Sequence, residues 1–366
     1  MDMRKKSALA FLMVALLALA AFFYLIFTVQ LKGEERLKVG LILPTEKSET
    51  GWYGEAYQGL ENATTDVGAE LFIEENVPDS VASMAAVDRL HRQGARLIMS
   101  ATFGYMDLFE EARHKYPDTI FFTIAPYSHQ GNIRTFFVRL YNMRYLSGMQ
   151  AGMKTKTGKI GYISTFPNPD SIHELNAFTL GVRRTNPEAR VISAWLGDDD
   201  RDSHAREVAA ALINDVGVDV IGSHRINDVV AEEALERGVY ALGSHSYLPA
   251  QEKLLSRQCF NWQVVWAQLL KDYARNFNQS GFYWFDYRTA QLYFDISSPA
   301  VTESETLELR QAETDLINGY EPFSGLIRDT EGKVRCEEGE YISDIALREF
   351  IDWYVEGVDF YGPKPE

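Results

Sequence analysis

RLYNMRYLSGMQAGMKTKTGKIGYISTFPNPDSIHELNAF, residues 139–178, reads as a helix, a turn, a buried strand, a rigid loop and a second helix. The first helix carries small residues, Ser147, Gly148, Ala151 and Gly152, where a neighbouring element can approach closely. The turn spans Lys156 to Gly158, and the strand runs from Ile160 to Thr165. Phe166-Pro167-Asn168-Pro169 then forms a stiff loop before a helix beginning near Asp170. Such a loop lies at the carboxyl end of a strand, where open α/β sheets bind their ligands. The stretch is therefore expected to be both a hinge between two halves and one wall of a binding cleft.

The same alternation extends to either side. Upstream, strands are predicted at Lys38–Pro44, Leu71–Val77, Arg96–Ala101 and Ile120–Ile124, with helices from Trp52 to about Val67, Ser80–Gln93 and Tyr105–Tyr116. Downstream, strands Val191–Leu196, Val218–Ser223 and Val239–Ser244 alternate with helices Ser203–Val216 and Asp228–Arg237. A helix from Trp262 to Phe277, an aromatic strand region Phe282–Ile296, a polar helix Glu303–Asn318, a hairpin around Asp329–Gly332 and a last helix ending near Gly357 complete the chain. Strands and helices of this length imply parallel sheets covered on both faces. The fold class is thus α/β, with two doubly wound parallel-sheet lobes that form a clamshell. The expected division is residues 38–140 with 262–290 in the first lobe, and 141–261 with 291–366 in the second.

Before the lobes, Arg4, Lys5 and Lys6 precede an apolar run from Ala8 to Val29, about 22 residues without a charge. That length spans a hydrocarbon core of ~30 Å at ~1.5 Å per residue. Residues 1–31 are expected to form an N-terminal transmembrane anchor and 32–37 a linker, with the cations cytoplasmic and the rest extracytoplasmic. A cleaved signal peptide, cut after Ala18-Leu19-Ala20, is the alternative. No cysteine follows the run for lipid attachment. Cys259 and Cys336 either pair or stand apart as spectators.

A net charge of -16, with no Lys/Arg cluster outside the first residues, argues against a nucleic-acid partner. Asp198-Asp199-Asp200-Arg201-Asp202 fails the EF-hand pattern, because Ser203 holds the turn-glycine position and Ala209 the closing-glutamate position. It reads as a solvated loop capping the next helix. There is no HExxH, GxSxG, phosphate loop or GxGxxG, so no catalytic residue, metal or cofactor is assigned. What recurs instead is an aromatic residue after a predicted strand: Trp52, Phe103 and Tyr105, Phe166, Trp195 and Trp262. Such faces suit a flat ligand at a cleft rim, although singly each is more often a core or interlobe packing residue, and only the shared placement brings Trp52 and Phe103 level with that reading.

Gly51-Trp52, Glu75-Asn76-Val77, Ala101–Asp107, Arg144-Tyr145-Leu146, Gly158–Tyr162, Asn176-Ala177-Phe178, Pro322–Gly325, Asp329 with Gly332-Lys333, and Trp353–Gly357 occur in one order. In them the chain, from about Lys38 to Pro363, resembles the basic membrane protein (BMP) family of solute-binding proteins, receptors for nucleosides or purine bases that serve ABC importers. The resemblance implies a type I periplasmic-binding-protein fold, with a base stacked between aromatic side chains at the positions of Trp52 and Phe103. Gly104, Asn142, Phe166, Asp199, Tyr247 and Trp262 are the further ligand-contact candidates. Asn142 stands where the family has an acid, Asp199 and Asp200 where it has an aromatic, and Tyr247, Arg225 and Ile226 near two further acidic positions.

The resulting expectation is a membrane-anchored solute receptor for an ABC permease, with a small purine- or nucleoside-like ligand and no catalysis of its own. One alternative is a tethered sensor of the same fold that signals to a membrane partner. A second is an extracytoplasmic enzyme, which has only scattered acids and histidines behind it.

Overall fold

The computed structural model describes residues 36–49, 51–127, 131–243, 248–275, 282–289, 292–296 and 298–365. The expected anchor lies outside them, as does Tyr247. Among the described residues, no helix is long and apolar enough to cross a membrane.

Two sheets organise the chain. The first contains β1 (Lys38–Ile42), β2 (Glu70–Glu74), β3 (Leu97–Ser100), β4 (Ile120–Ile124), β5 (Ile133–Val138) and β11 (Phe282–Phe285), in the order β11-β5-β4-β3-β1-β2 and parallel throughout. The second contains β6 (Lys159–Ser164), β7 (Arg190–Trp195), β8 (Val220–His224), β9 (Tyr240–Gly243), β10 (Leu254–Phe260), β12 (Leu292–Asp295) and β15 (Val358–Phe360), in the order β12-β10-β9-β8-β6-β7-β15. Only β12 runs antiparallel to its neighbour. Val39, Leu41, Leu97, Met99, Ile160 and Tyr162 are almost wholly inaccessible, as strands covered on both faces require. The chain crosses between the sheets after β5, after β10, and between β11 and β12.

Helices α1 (Trp52–Asp66), α2 (Met84–Arg92) and α3 (Met106–Lys115) connect strands of the first sheet. In the second half, α6 (Asp202–Ala211) and α7 (Val229–Glu236) do the same, while α8 (Trp262–Ala274) returns to pack on α1 and α9 (Glu303–Ile317) lies farther along. The central pair is α4 (Leu140–Lys154) and α5 (Pro169–Thr185), which sandwich backbone against backbone. A Cβ at Gly152 would lie 2.6 Å from the Val182 carbonyl oxygen, and one at Gly181 only 2.0 Å from that of Tyr145. Any side chain there would separate the helices, which is the packing reason for the small residues.

Two expectations need correction. The last helix is one short wide turn, Ala346–Phe350, and the chain then becomes β15, paired with β7 through Val358 and Val191. The acidic run does not cap α6 through a side chain: Asp199 pairs with Arg201, and Asp202 accepts from Arg225 and Asn227. The hairpin around Asp329–Gly332 is present as β13 (Ile327–Arg328) and β14 (Val334–Cys336), with Cys336 a buried free thiol.

Candidate functional site

Gly51 has φ +119°, a conformation other residues rarely adopt, and it turns the chain after β1 so that α1 starts at Trp52. The Trp52 indole N–H then donates to the Ala101 carbonyl at 2.7 Å, fixing the ring beside the end of β3. Thr102 caps the next turn by accepting from the Gly104 N–H at 3.2 Å, and this presents Phe103 to solvent. In the second lobe, Asn168 accepts from the Ser171 N–H at 2.9 Å, and Pro169 starts α5 with its φ already helical. The same loop leaves Phe166 exposed.

These strand ends enclose a cleft of about 480 Å³, a size suited to a small organic molecule. Trp52 and Phe103 reach it from the first lobe, and Phe166, Asp200, Arg225 and Asn227 from the second. Phe103 and Phe166 are 45% and 44% exposed, so both rings retain open faces. Phe260 and Gln258 from β10, with Leu140, Met143 and Arg144 from α4, line the crossing region.

The floor is polar and buried. Arg144 donates through Nε to Glu174 Oε2 at 2.6 Å, with Glu174 entirely inaccessible. Burial alone would raise the Glu174 pKa, but His224, Arg144 and His173 hold its carboxyl below the usual range. Asp170 is pushed well above its usual value by burial and by the Glu174 charge. Burial lowers His173 to about 4, and it lowers His224 as well. Asp170 and His224 face the cleft, while His173 and Glu174 lie behind them. Asp170, His173 and Glu174 form the one group among the described residues close enough to share a metal ion.

The structure brings Trp52, Phe103 and Phe166 together but disperses the other candidates. Gly104 backs onto Asp79, whose Oδ2 would lie 2.2 Å from an added Cβ, so it shapes the Phe103 turn without lining the cleft. Trp262 is 2% exposed and lies edge-on beneath Trp52, with ring centroids 4.8 Å apart. Asn142 lines a second cavity of about 510 Å³ with Arg139, Tyr320 and Asp344. Asp199 is occupied by Arg201 at 2.7 Å, whereas Asp200 and Asp202 line the cleft. Sequence reasoning named Arg144 only within a motif and Arg225 only beside an expected acid, and it missed Asp170 and His224. The available signal was position, since His224 ends β8 and Asp170 lies in the first turn of the helix that follows the neighbouring strand β6.

A purine-binding protein of Brucella abortus (strain 2308) is 29% identical over 335 residues, covering 89% of this chain and 94% of its own. A protein of Haloferax volcanii named for ABC-transporter glucose binding is 29% identical over 266 residues, covering 72% of this chain and 65% of its own. The crystal structure of a transcriptional activator of the comK gene from Bacillus halodurans shares the fold, with a TM-score of 0.68 at 22% identity over 77% of this chain and 98% of that one. The family model described as ABC transporter substrate-binding protein, PnrA-like, matches residues 36–320, and together with the two-sheet architecture and its strand-end cleft this shows that the chain belongs to the Bmp family of ABC transporter substrate-binding proteins.

Proposed function

We propose that this chain is a membrane-anchored, extracytoplasmic receptor that captures a flat heterocycle of the purine or nucleoside kind between its lobes and delivers it to an ABC permease. The observation that carries this reading is the placing of aromatic residues from both lobes on the cleft, Trp52 and Phe103 from one and Phe166 from the other, above a buried polar floor. A planar ring is held by its faces, and the polar groups beneath choose among rings by their N–H and carbonyl edges. Contacts from both lobes favour the closed state, because only a ligand that touches both binds closed more tightly than open. The purine-binding relative supports this ligand class, and the relative named for glucose makes a sugar the necessary comparison.

The test is thermal melting of the full-length protein in detergent with adenosine, inosine, hypoxanthine and glucose, because a ligand that binds only the folded state raises the melting temperature. A rise with the purines and none with glucose is expected. A rise with glucose alone would reject the heterocycle.

A further inference from the structure

Four side chains beneath the cleft aim donor atoms at one another. His173 Nε2 lies 3.5 Å from Asp170 Oδ1, and His224 Nε2 lies 3.6 Å from Asp170 Oδ2 and 3.8 Å from Glu174 Oε1. His173 and Glu174 are 1% and 0% exposed. Even so, Asp170 Oδ1, His173 Nε2 and Glu174 Oε1 have no hydrogen-bond partner. Buried polar atoms are rarely left in that condition, and three converging together call for a common partner.

The atoms facing away from this centre identify what the partner is. His173 Nδ1 lies 3.1 Å from the Leu347 carbonyl, which only accepts, so Nδ1 carries the proton and the neutral ring turns a lone pair at Nε2 inward. His224 Nδ1 meets Ser171 Oγ at 3.0 Å, and Glu174 Oε2 takes the Arg144 N–H at 2.6 Å. His173, His224 and Glu174 are each anchored on the outer atom and offer an acceptor on the inner one, and Asp170 turns both oxygens toward the histidines. That is how histidine and carboxylate ligands are oriented around metals. A single proton would satisfy two of these acceptors, whereas a dication satisfies all of them.

We propose that Asp170, His173, Glu174 and His224 form a binding site for a first-row transition-metal dication, reached through the cleft. Two imidazoles with two carboxylates suit zinc, cobalt or nickel, and calcium and magnesium prefer oxygen ligands alone. Donors on a tetrahedron of ~2.1 Å radius stand about 3.4 Å apart; one donor atom each from Asp170, His173 and Glu174 lie within 4.8 Å of one another, so these three draw together by up to about an ångström around an ion, and His224 turns inward to become the fourth ligand. The Arg144 charge beside Glu174 opposes the ion and makes the site weaker than a structural zinc site. Asp170 and His224 line the cleft and provide the way in. The metal site does not depend on the heterocycle reading, since none of its ligands is an aromatic rim residue.

The test uses chelator-stripped full-length protein in detergent, titrated with zinc chloride by calorimetry. His114→Gln serves as control, because that histidine is 67% exposed on α3. Anomalous diffraction at the zinc edge from zinc-soaked native crystals locates the ion without any variant. One equivalent is expected in the native protein and in His114→Gln, with affinity lowered on the order of 100-fold in His173→Gln and in His224→Gln, and an anomalous peak among the four residues. Equal affinity in the native protein and the His173→Gln/His224→Gln double variant, or peaks only elsewhere, would overturn the proposal. Zinc at this position in a protein that ignores purines would reject only the heterocycle, and purine binding with no peak here would reject only the metal.

Discussion

A methyl group built on Gly148 would lie 2.0 Å from the carbonyl oxygen of Phe178, so at this point α4 and α5 meet backbone to backbone with no side chain between them. The obstructing atom is itself part of a helix and cannot swing aside. Gly148→Ala should therefore destabilise the protein, with the overpacking cost of about 1–3 kcal/mol or more exceeding the roughly 1 kcal/mol that alanine gains in a helix. Urea unfolding measures this, and a variant as stable as the parent would contradict the close packing.

The aromatic residues of the rim should separate affinity from stability. Phe166 is half exposed, so Phe166→Ala should leave the melting temperature nearly unchanged while weakening binding of a flat ligand by about 1 kcal/mol. Trp52 rests on Trp262 and Phe260, with ring centroids 4.8 Å and 5.5 Å away. Trp52→Ala should cost both stability and about 1–3 kcal/mol of binding. Calorimetry well below the melting temperature of each variant reads the binding part, and undiminished affinity in both would remove the rim from the ligand site.

Arg144 and Glu174 form a buried pair, and the loss of one partner strands the other. Arg144→Met should cost on the order of 3–5 kcal/mol, and Arg144→Met/Glu174→Gln should recover part of that loss. Additive effects of the two substitutions in a double-mutant cycle would mean that the pair is not coupled.

Glu321 supplies a pH signature away from the cleft. It accepts from the Tyr141 hydroxyl at 3.0 Å and the Phe323 N–H at 3.2 Å, yet burial holds its carboxyl above the ordinary value. A raised folded pKa means that the native state keeps a proton the unfolded chain releases. This contribution is complete below the unfolded value near 4.5 and is lost as pH rises through the folded value. The melting temperature of Glu321→Gln, relative to the parent, should therefore climb between pH 4.5 and 7. A difference that stays flat across this range would count against the assignment.

What could be read from the sequence, and what could not, follows from the range of each signal. The α4–α5 pair was legible because small residues sit within one local stretch, and the aromatic rim because strand ends place their following residues predictably. The strand β15 was not, since nothing near Val358 announces a partner at Val191, and Trp353–Gly357 continues a pattern that suits a helix equally well. Asn142 was misplaced by helical geometry. Two residues along a helix rotate a side chain by about 200°, so Arg144 faces the cleft and Asn142 the opposite cavity. The floor cluster joins Asp170 to His224 across two neighbouring strands, a proximity that no local motif records.

The three crossings between the sheets also bear on how the molecule is made. The first sheet lacks its edge strand until residues 282–285 exist, and the second lacks its own until residues 358–360. Neither half is a continuous segment, so a nascent chain emerging from its amino end cannot finish one lobe and set it aside. Pairings this distant in sequence close slowly, and the last strand to be synthesised belongs to the sheet that carries the cleft floor. A truncation of even the final ten residues would strike at β7, whose outer neighbour is that strand, and would leave a nearly full-length chain with a raw, adhesive edge.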